Sequence, residues 1–168
     1  MRVMHVIPSM DPSTGGPPRV LSNMVRGQLK LGYEVSIISR DKKPATIGYL
    51  KTFFSDSEIV NINVLRLNYI GSSNAASEPY SLLHLHGFWN PIFIYSFIFS
   101  IYKRIPFVIE PDGILNFYGS FFKKWKKFIL FYGFYQIILR RSSLVLAGSK
   151  NEKLELCAIA RLNEKKIK

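Results

Sequence analysis

The first 39 residues predict a β-strand, a glycine-containing loop, an α-helix and a second β-strand, in that order. Residues 2–7 are mostly Val, Ile and Met, which is typical of a strand buried in a parallel sheet. From Pro18 the apolar residues recur at helical spacing, and Gly32 lies just past the last of them. Residues 33–39 form the second strand. This βαβ unit, with a right-handed crossover, predicts a doubly wound α/β sheet.

The remaining sequence continues the alternation of strands and helices. We predict strands at residues 62–67, Leu82–His86, Phe107–Glu110 and residues 144–147, and helices at residues 91–104, 121–141 and Lys150–Ala160. Ser149 is the expected N-cap of the last helix, with Glu152 at the spacing of a capping box. Residues 41–61 are polar and irregular and predict a loop that could contain one short helix. Residues 68–81 are short for the helical crossover that a parallel sheet normally needs.

Length and composition limit the class of protein. A chain of 168 residues suffices for one domain with a hydrophobic core, and its 48% hydrophobic content excludes a disordered or collagen-like chain. A single cysteine, Cys157, excludes a disulfide framework and a zinc site built from cysteines. We therefore predict one Rossmann-like, doubly wound, mostly parallel sheet flanked by helices, with no metal site and no cofactor.

The apolar segments indicate a cytoplasmic location. Pro8 ends the first of them before it reaches the length of a signal-peptide core. The longest uncharged apolar stretches, residues 92–102 and 128–139, are much shorter than the roughly 20 residues of a membrane-spanning helix.

The net charge of +12 is concentrated near the end of the chain. Residues 123–168 carry a net charge of +9, with lysines before the apolar run at 128–139 and arginines after it. A helix at residues 120–141 with cationic ends could lie flat on an anionic membrane, at the inner face of the cytoplasmic membrane. The alternative is a partly buried helix with solvated ends.

Three glycine-bearing segments follow predicted strands. They are STGGPPR at residues 13–19, HLHGFWNP at residues 84–91 and EPDGIL at residues 110–115. Open α/β sheets bind their ligands at the carboxyl ends of their strands, so these segments predict one shared site.

With MRVMHVIP at the start and LVLAGS at residues 144–149, these segments resemble the N-terminal domain of family-4 glycosyltransferases of the GT-B fold. The match covers nearly the whole chain, residues 1–168. It implies the acceptor-side half of a hexosyltransferase-like enzyme of polysaccharide biosynthesis. Such an enzyme moves a sugar from a nucleotide-sugar donor to a glycan or lipid-linked acceptor.

The resemblance assigns roles to the first loop. It implies that Gly15 and Gly16 lie against the donor's diphosphate and the acceptor, while Arg19 adds positive charge. Glycines lack a Cβ atom, so the backbone amides before the helix can approach an anionic oxygen. The alternative is a plain tight turn.

The second segment places His84 and His86 on the same side of the fourth strand. We predict that His86 faces the cleft, next to Gly87, and that His84 is a hydrogen-bonded core histidine. Trp89 is a candidate wall of the acceptor site, although aromatic residues at strand ends are also common in cores.

The third segment departs from the family. Relatives carry a histidine before the glycine, where this chain has Asp112, followed by Gly113 and preceded by Glu110. Asp112 is therefore the candidate catalytic residue, and Glu110 and Gly113 are candidate substrate-binding residues. An aspartate accepts hydrogen bonds but donates none at neutral pH unless its pKa is strongly raised. Paired carboxylates also suggest glycoside hydrolysis, but nothing places these two on opposite sides of a bond.

The chain ends close to the point where relatives enter a second, donor-binding domain. We expect that C-terminal domain to be absent from these 168 residues. Because much of such an enzyme's catalysis is the orientation of donor against acceptor, we expect the isolated chain to be inactive.

Two other classes remain open. A dinucleotide-binding oxidoreductase domain is disfavoured because the first strand runs into Pro8 instead of a Gly-x-Gly-x-x-Gly turn. The second strand also ends in Ser39, Arg40 and Asp41 without a clear ribose-binding acid. A basic module binding a membrane surface or nucleic acid is the other class, and we expect no nucleic-acid partner.

Overall fold

The computed structural model describes residues 1–65, 80–87, 90–111 and 134–168. Six strands form one sheet in the order β3-β2-β1-β4-β5-β6, and neighbouring strands are parallel throughout. The strands are β1 (Arg2–Val6), β2 (Glu34–Ile38), β3 (Ile62–Leu65), β4 (Leu82–His86), β5 (Phe107–Glu110) and β6 (Leu144–Val145). The predicted doubly wound α/β fold is confirmed.

The helices are α1 (Gly16–Lys30), α2 (Lys43–Leu50), α3 (Asp56–Ile59), α4 (Pro91–Lys103), α5 (Gln136–Arg141) and α6 (Lys150–Ala160). Short 3-10 turns occupy Pro12–Thr14 and Glu164–Lys166. Helix α6 has the predicted bounds. Its cap Ser149 accepts a hydrogen bond from the Glu152 amide at 3.2 Å. The Glu152 carboxylate accepts from the Gly148 amide at 2.8 Å instead of closing the box at Ser149.

Residues 41–61, predicted as a loop that could contain one short helix, hold two helices, α2 and α3. Helix α2 begins with a proline in its first turn, and α3 begins with a capping box between Ser55 and Glu58. These start signals are local, but the polar composition of the segment favoured a loop prediction. Most of the short link at residues 68–81, and residues 121–133 of the predicted long helix, lie outside the described parts of the chain.

The sheet separates two layers of side chains. Alternate residues of β1 point to opposite faces, so that Met4 and Val6 pack with α4, α5 and α6, while Ile7 packs with α1 and α2. His5 lies on the α1 face, where its ring bonds to a side chain of that helix. On this face the apolar packing covers β3, β2 and β1, and histidines continue the layer at β1 and β4.

The strand order reverses between β1 and β4, which pair with His5 opposite His84 and Val6 opposite Leu85. In doubly wound sheets this reversal opens a crevice at the carboxyl ends of the two strands, where ligands bind. The topology therefore directs attention to the ends of β1, β4 and β5. In the part of the chain that the structure describes, no helix is both long and apolar enough to cross a bilayer.

Candidate functional site

The loop after β1 is held by a carboxylate from the end of β2. Asp41 accepts hydrogen bonds from the Ser9 hydroxyl at 2.9 Å and from the Met10 amide at 2.9 Å. Asp11 then accepts from the Ser13 amide at 2.8 Å and begins the 3-10 turn. Because Asp41 is engaged with this loop, the geometry gives no support to a ribose-binding role in a dinucleotide site.

The glycine pair lies between that turn and α1. Gly15 has φ +105° and ψ −138°, a conformation that residues with a side chain rarely adopt, and Gly16 is the first residue of α1. Both are exposed, and a Cβ atom at either position would meet no other atom within 4 Å. Arg19 is exposed in the first turn of α1. The glycine pair at the start of this helix is thus exposed, and a cationic side chain lies in the same turn.

A cluster of three histidines lies behind this edge, and we call it the histidine cluster. His5 comes from β1, and His84 and His86 come from β4, with ring centroids 4.0 to 5.3 Å apart. The three residues are 0%, 3% and 1% exposed. The chain has three histidines in all, so every histidine of the protein belongs to the cluster.

A chain of hydrogen bonds joins the histidine cluster to α1. The Gln28 side-chain oxygen on α1 accepts from His5 Nε2 at 2.8 Å. His5 Nδ1 lies 2.9 Å from His86 Nε2, which makes the second bond of the chain. These contacts connect β1, β4 and α1 through polar groups where an apolar core would otherwise be expected.

Glu110, the last residue of β5, lies against two residues of the histidine cluster. Its Oε2 lies 3.1 Å from His86 Nδ1 and 3.9 Å from His84 Nε2. Neither approach is aligned as a hydrogen bond. Among the described residues these three buried atoms have no hydrogen-bond partner.

Burial is the main cause of the pKa shifts of the three histidines and of Glu110. It lowers the pKa of His5 to about 4, although the bond to Gln28 and the carboxylate of Glu110 act in the opposite direction. Burial, together with the neighbouring imidazoles, holds the pKa of His84 and of His86 well below the usual value. Burial raises the pKa of Glu110, against the influence of His5. The three imidazoles are therefore neutral at pH 7.

The structure corrects the prediction that His86 faces the cleft. Its side chain is 1% exposed and bonded to His5, so His86 and His84 are both core histidines. The reason is that the three imidazole rings form a buried polar layer on the α1 face of the sheet. The end of β4 therefore lies in the core and not at the cleft. Glu110 does lie beside His86. The roles assigned to Gly15, Gly16, Arg19, Gly87 and Glu110 stay predictions, and Trp89, Asp112 and Gly113 lie outside the described residues.

Sequence reasoning missed His5 and Gln28. His5 interrupts an apolar strand, as His84 and His86 do, and this shared pattern was the available signal. The contact itself depends on the register of β1 against β4, which joins residues 79 to 81 positions apart.

Gly87 fixes the turn after β4. Its φ of +103° suits glycine, and its amide donates to the Glu110 carbonyl oxygen at 2.8 Å. A Cβ atom here would lie 3.3 Å from Cζ of the buried Phe93 ring and 3.6 Å from Pro8. The close approach of three chain segments at this turn therefore requires a glycine.

A cavity of about 620 Å³ lies at the opposite, amino-terminal edge of the sheet. Its lining includes Arg2, Tyr33, Glu34 and Asn61. Ligand sites of doubly wound sheets lie at the other edge, and the residues discussed above contribute nothing to this cavity. We therefore give it no role in the candidate site.

No protein-family model and no curated protein matches the sequence. Among solved structures, all of the chain aligns with 43% of HepE from Anabaena in complex with UDP-glucose, at 14% identity and a TM-score of 0.68. All of it also aligns with 45% of UDP-GlcNAc 2-epimerase from Methanocaldococcus jannaschii, at 12% identity and a TM-score of 0.64. For the epimerase from Neisseria meningitidis bound to UDP-GlcNAc, the alignment covers 99% of this chain and 45% of that one, at 15% identity and a TM-score of 0.58.

The chain thus spans less than half the length of these structures. At such low identity the likeness shows the fold, which is that of one half of a GT-B-type protein. Membership of family 4 in particular stays a prediction.

Proposed function

We propose that the chain is the acceptor-side half of a GT-B glycosyltransferase of polysaccharide biosynthesis. It would help move a hexose from a nucleotide-sugar to a glycan or lipid-linked acceptor. The observation that carries this proposal is the alignment of the whole chain with less than half of a protein that was solved with UDP-glucose. Because one fold hosts many functions, the argument also needs support from the site itself.

That support comes from the carboxyl edge of the sheet. The amide of the exposed Gly16 at the N-terminus of α1 offers a donor to an anion, Pro17 and Pro18 carry no N–H, and Arg19 adds a cationic side chain. Glu110 ends β5, two strands away from β1 across the point where the strand order reverses. This arrangement suits a diphosphate beside the glycine pair, with sugar hydroxyls near the carboxylate. Asp112 keeps its proposed role as the sugar contact that replaces the family histidine.

The donor nucleotide is assigned in this proposal to a second domain, on the same polypeptide or on a separate one. In that arrangement the described half supplies the acceptor wall of a cleft. Orientation of donor against acceptor then requires both walls, so the 168 residues alone are expected to be inactive.

A second candidate is one half of a nucleotide-sugar epimerase. It is favoured by the alignments with two UDP-GlcNAc 2-epimerases, which cover nearly all of this chain. An epimerase needs no acceptor, whereas a transferase consumes one, and this difference separates the two candidates.

The experiment mixes the purified chain with UDP-glucose or UDP-GlcNAc, with and without a lipid-linked acceptor, and follows products by NMR. We expect no turnover by the chain alone. When a donor-binding domain encoded next to this sequence is added, we expect UDP release that depends on the acceptor. Turnover by the pure chain contradicts the assignment to one half of an enzyme. An epimerised sugar formed without acceptor favours the second candidate.

We also propose that this half works at the inner face of the cytoplasmic membrane. Helix α4 exposes an apolar face formed by Tyr95, Ile98, Ile101 and Tyr102, and Lys103 and Arg104 follow at its end. An apolar surface with a cationic end suits the boundary of an anionic bilayer. Of the charged helix predicted at residues 120–141, the described part ends in the exposed pair Arg140 and Arg141.

Sedimentation with phosphatidylglycerol-containing vesicles tests this location. We expect the chain to sediment at low salt and to be released as salt rises, because screening weakens charge attraction at the surface. Tyr95→Ser with Tyr102→Ser should reduce sedimentation, whereas Leu154→Ser, on an equally exposed residue of α6, should leave it unchanged. A chain that stays in the supernatant at low salt contradicts membrane binding.

A further inference from the structure

Three buried polar atoms meet at the ends of β4 and β5. They are His84 Nε2, His86 Nδ1 and Glu110 Oε2, and within the described chain none of them has a hydrogen-bond partner. A buried polar atom left unpaired costs about 1–3 kcal/mol, so three of them in one place need a physical reason.

The hydrogen bonds of the histidine cluster determine where its protons lie. Because the Gln28 oxygen accepts from His5 Nε2, neutral His5 carries its proton there and Nδ1 is an acceptor. His86 Nε2 must then donate to His5 Nδ1. Neutral His86 is left with a lone pair on Nδ1, the atom that faces the Glu110 carboxylate. The unprotonated Nδ1 of His86 thus lies 3.1 Å from a carboxylate oxygen, and a cation shared by the two atoms, either a proton or a metal ion, would stabilise this contact.

The geometry suits a metal ion better than a shared proton. A proton would require the Glu110 oxygen to lie along the lone pair of His86 Nδ1, and the two atoms are close without that alignment. Two ligands of one tetrahedral zinc ion, each about 2.0–2.1 Å from the metal, lie about 3.3 Å apart and off each other's lone-pair axes. The observed separations from Glu110 Oε2, 3.1 Å to His86 and 3.9 Å to His84, bracket this value.

We infer that His84 Nε2, His86 Nδ1 and Glu110 Oε2 bind one divalent transition-metal ion of the zinc class. Imidazole nitrogens and a carboxylate oxygen are ligands that zinc prefers. His5 and Gln28 orient His86, because a metal-binding histidine usually donates its other ring N–H to a fixed acceptor. Both ring nitrogens of His5 are engaged, Nε2 with Gln28 and Nδ1 with His86, so His5 supports the site without binding the ion.

This site departs from our expectation of no metal site and does not depend on the proposed sugar transfer. The ion would join β4 to β5 at the carboxyl edge and, through His5 and Gln28, would fix α1 against the sheet. It would also compensate the charge of the mostly buried Glu110 carboxylate. Its primary expected effect is therefore on stability, which allows a test that needs no enzyme activity.

The test uses the untagged full chain, since a histidine tag would bind metal itself. After treatment with EDTA and addition of zinc chloride, we expect equimolar zinc to stay bound through gel filtration and to raise the Tm. Cobalt(II) in place of zinc should give a visible absorption band of four-coordinate cobalt, which reports ligation directly on the wild-type protein.

Matched variants assign the ligands. Glu110→Gln keeps the size of the side chain and should abolish both the Tm shift and zinc retention, and so should His84→Gln. His5→Gln should weaken zinc binding by about 10- to 100-fold, as expected for a positioning residue. Cys157→Ser, which removes the chain's single thiol, should change nothing.

Several results would overturn the site. These are failure of the wild type to retain zinc, equal retention by Glu110→Gln, or loss of zinc with Cys157→Ser. A protonated Glu110 that donates to His86 would give the first of these results. Circular dichroism of each variant shows whether it folds, and the cobalt spectrum of the wild type decides the question if a variant does not.

Discussion

Acidifying the metal-free chain from pH 7 to pH 5 should lower its free energy of unfolding by about 5 kcal/mol. The histidines of the cluster are neutral in the folded state because burial lowers their pKa, that of His5 to about 4. In the unfolded chain each takes up a proton near pH 6.5. Below that pH the unfolded state binds more protons than the folded state, so stability falls as pH falls. The slope approaches about 1.4 kcal/mol per pH unit for each histidine.

Glu110 acts in the opposite direction. Its pKa is raised in the folded state, so the folded chain binds this proton first and gains stability as pH falls through that pKa. One carboxyl offsets only part of the effect of three imidazoles. Hydrogen bonds from Ser13 and Ser55 lower the pKa of Asp11 and of Glu58, so these groups lose their contribution only at more acidic pH. The net result between pH 7 and pH 5 is a loss comparable with the whole stability of many domains, about 5–15 kcal/mol.

Urea unfolding at pH 7, 6 and 5 in the presence of EDTA measures this effect. The pH dependence of stability near pH 6 can be assigned to the histidine cluster because the chain has no other histidine. His84→Gln should remove about a third of the pH dependence, since one of the three titrating rings is gone. If the wild-type stability is flat from pH 7 to pH 5, the three histidines are not buried in neutral form.

The fold was predictable because its signals are local. Leu82–His86, Phe107–Glu110 and Lys150–Ala160 have the predicted bounds, since each is an apolar run or a capped helix limited by nearby residues. Helices α2 and α3 were missed although they also begin with local signals, a proline and a capping box. The polar composition of residues 41–61 is typical of loops, and it led to a loop prediction despite these start signals.

The candidate site was predictable only in part, because its contacts are not local. The sequence placed His86 and Glu110 at neighbouring strand ends, where the structure has them 3.1 Å apart. It could not show that His86 is buried, since this depends on His5 and Gln28, which reach it from another strand and from α1. Sequence alternation indicates which residues share a face of one strand. The pairing of strands decides which of them meet.

Phe93→Ala should lower the free energy of unfolding by about 3–5 kcal/mol, since it removes a fully buried ring from the core beside the site. Gly87→Ala should cost about 1–3 kcal/mol, because φ is +103° and the new Cβ atom would lie 3.3 Å from the Phe93 ring. Gly27→Ala provides the control in the exposed interior of α1, where no atom opposes a Cβ and alanine should stabilise by about 0.5–1 kcal/mol.

The double variant separates backbone strain from the steric contact at Gly87. When the Phe93 ring is absent, Gly87→Ala no longer meets it and should cost only the strain of its positive φ. The two substitutions together should therefore destabilise the chain less than the sum of their separate effects, by about 0.5 kcal/mol or more. Equilibrium unfolding in urea of the four proteins measures this coupling. Strict additivity would mean that the Phe93 ring does not oppose a Cβ atom at the turn after β4.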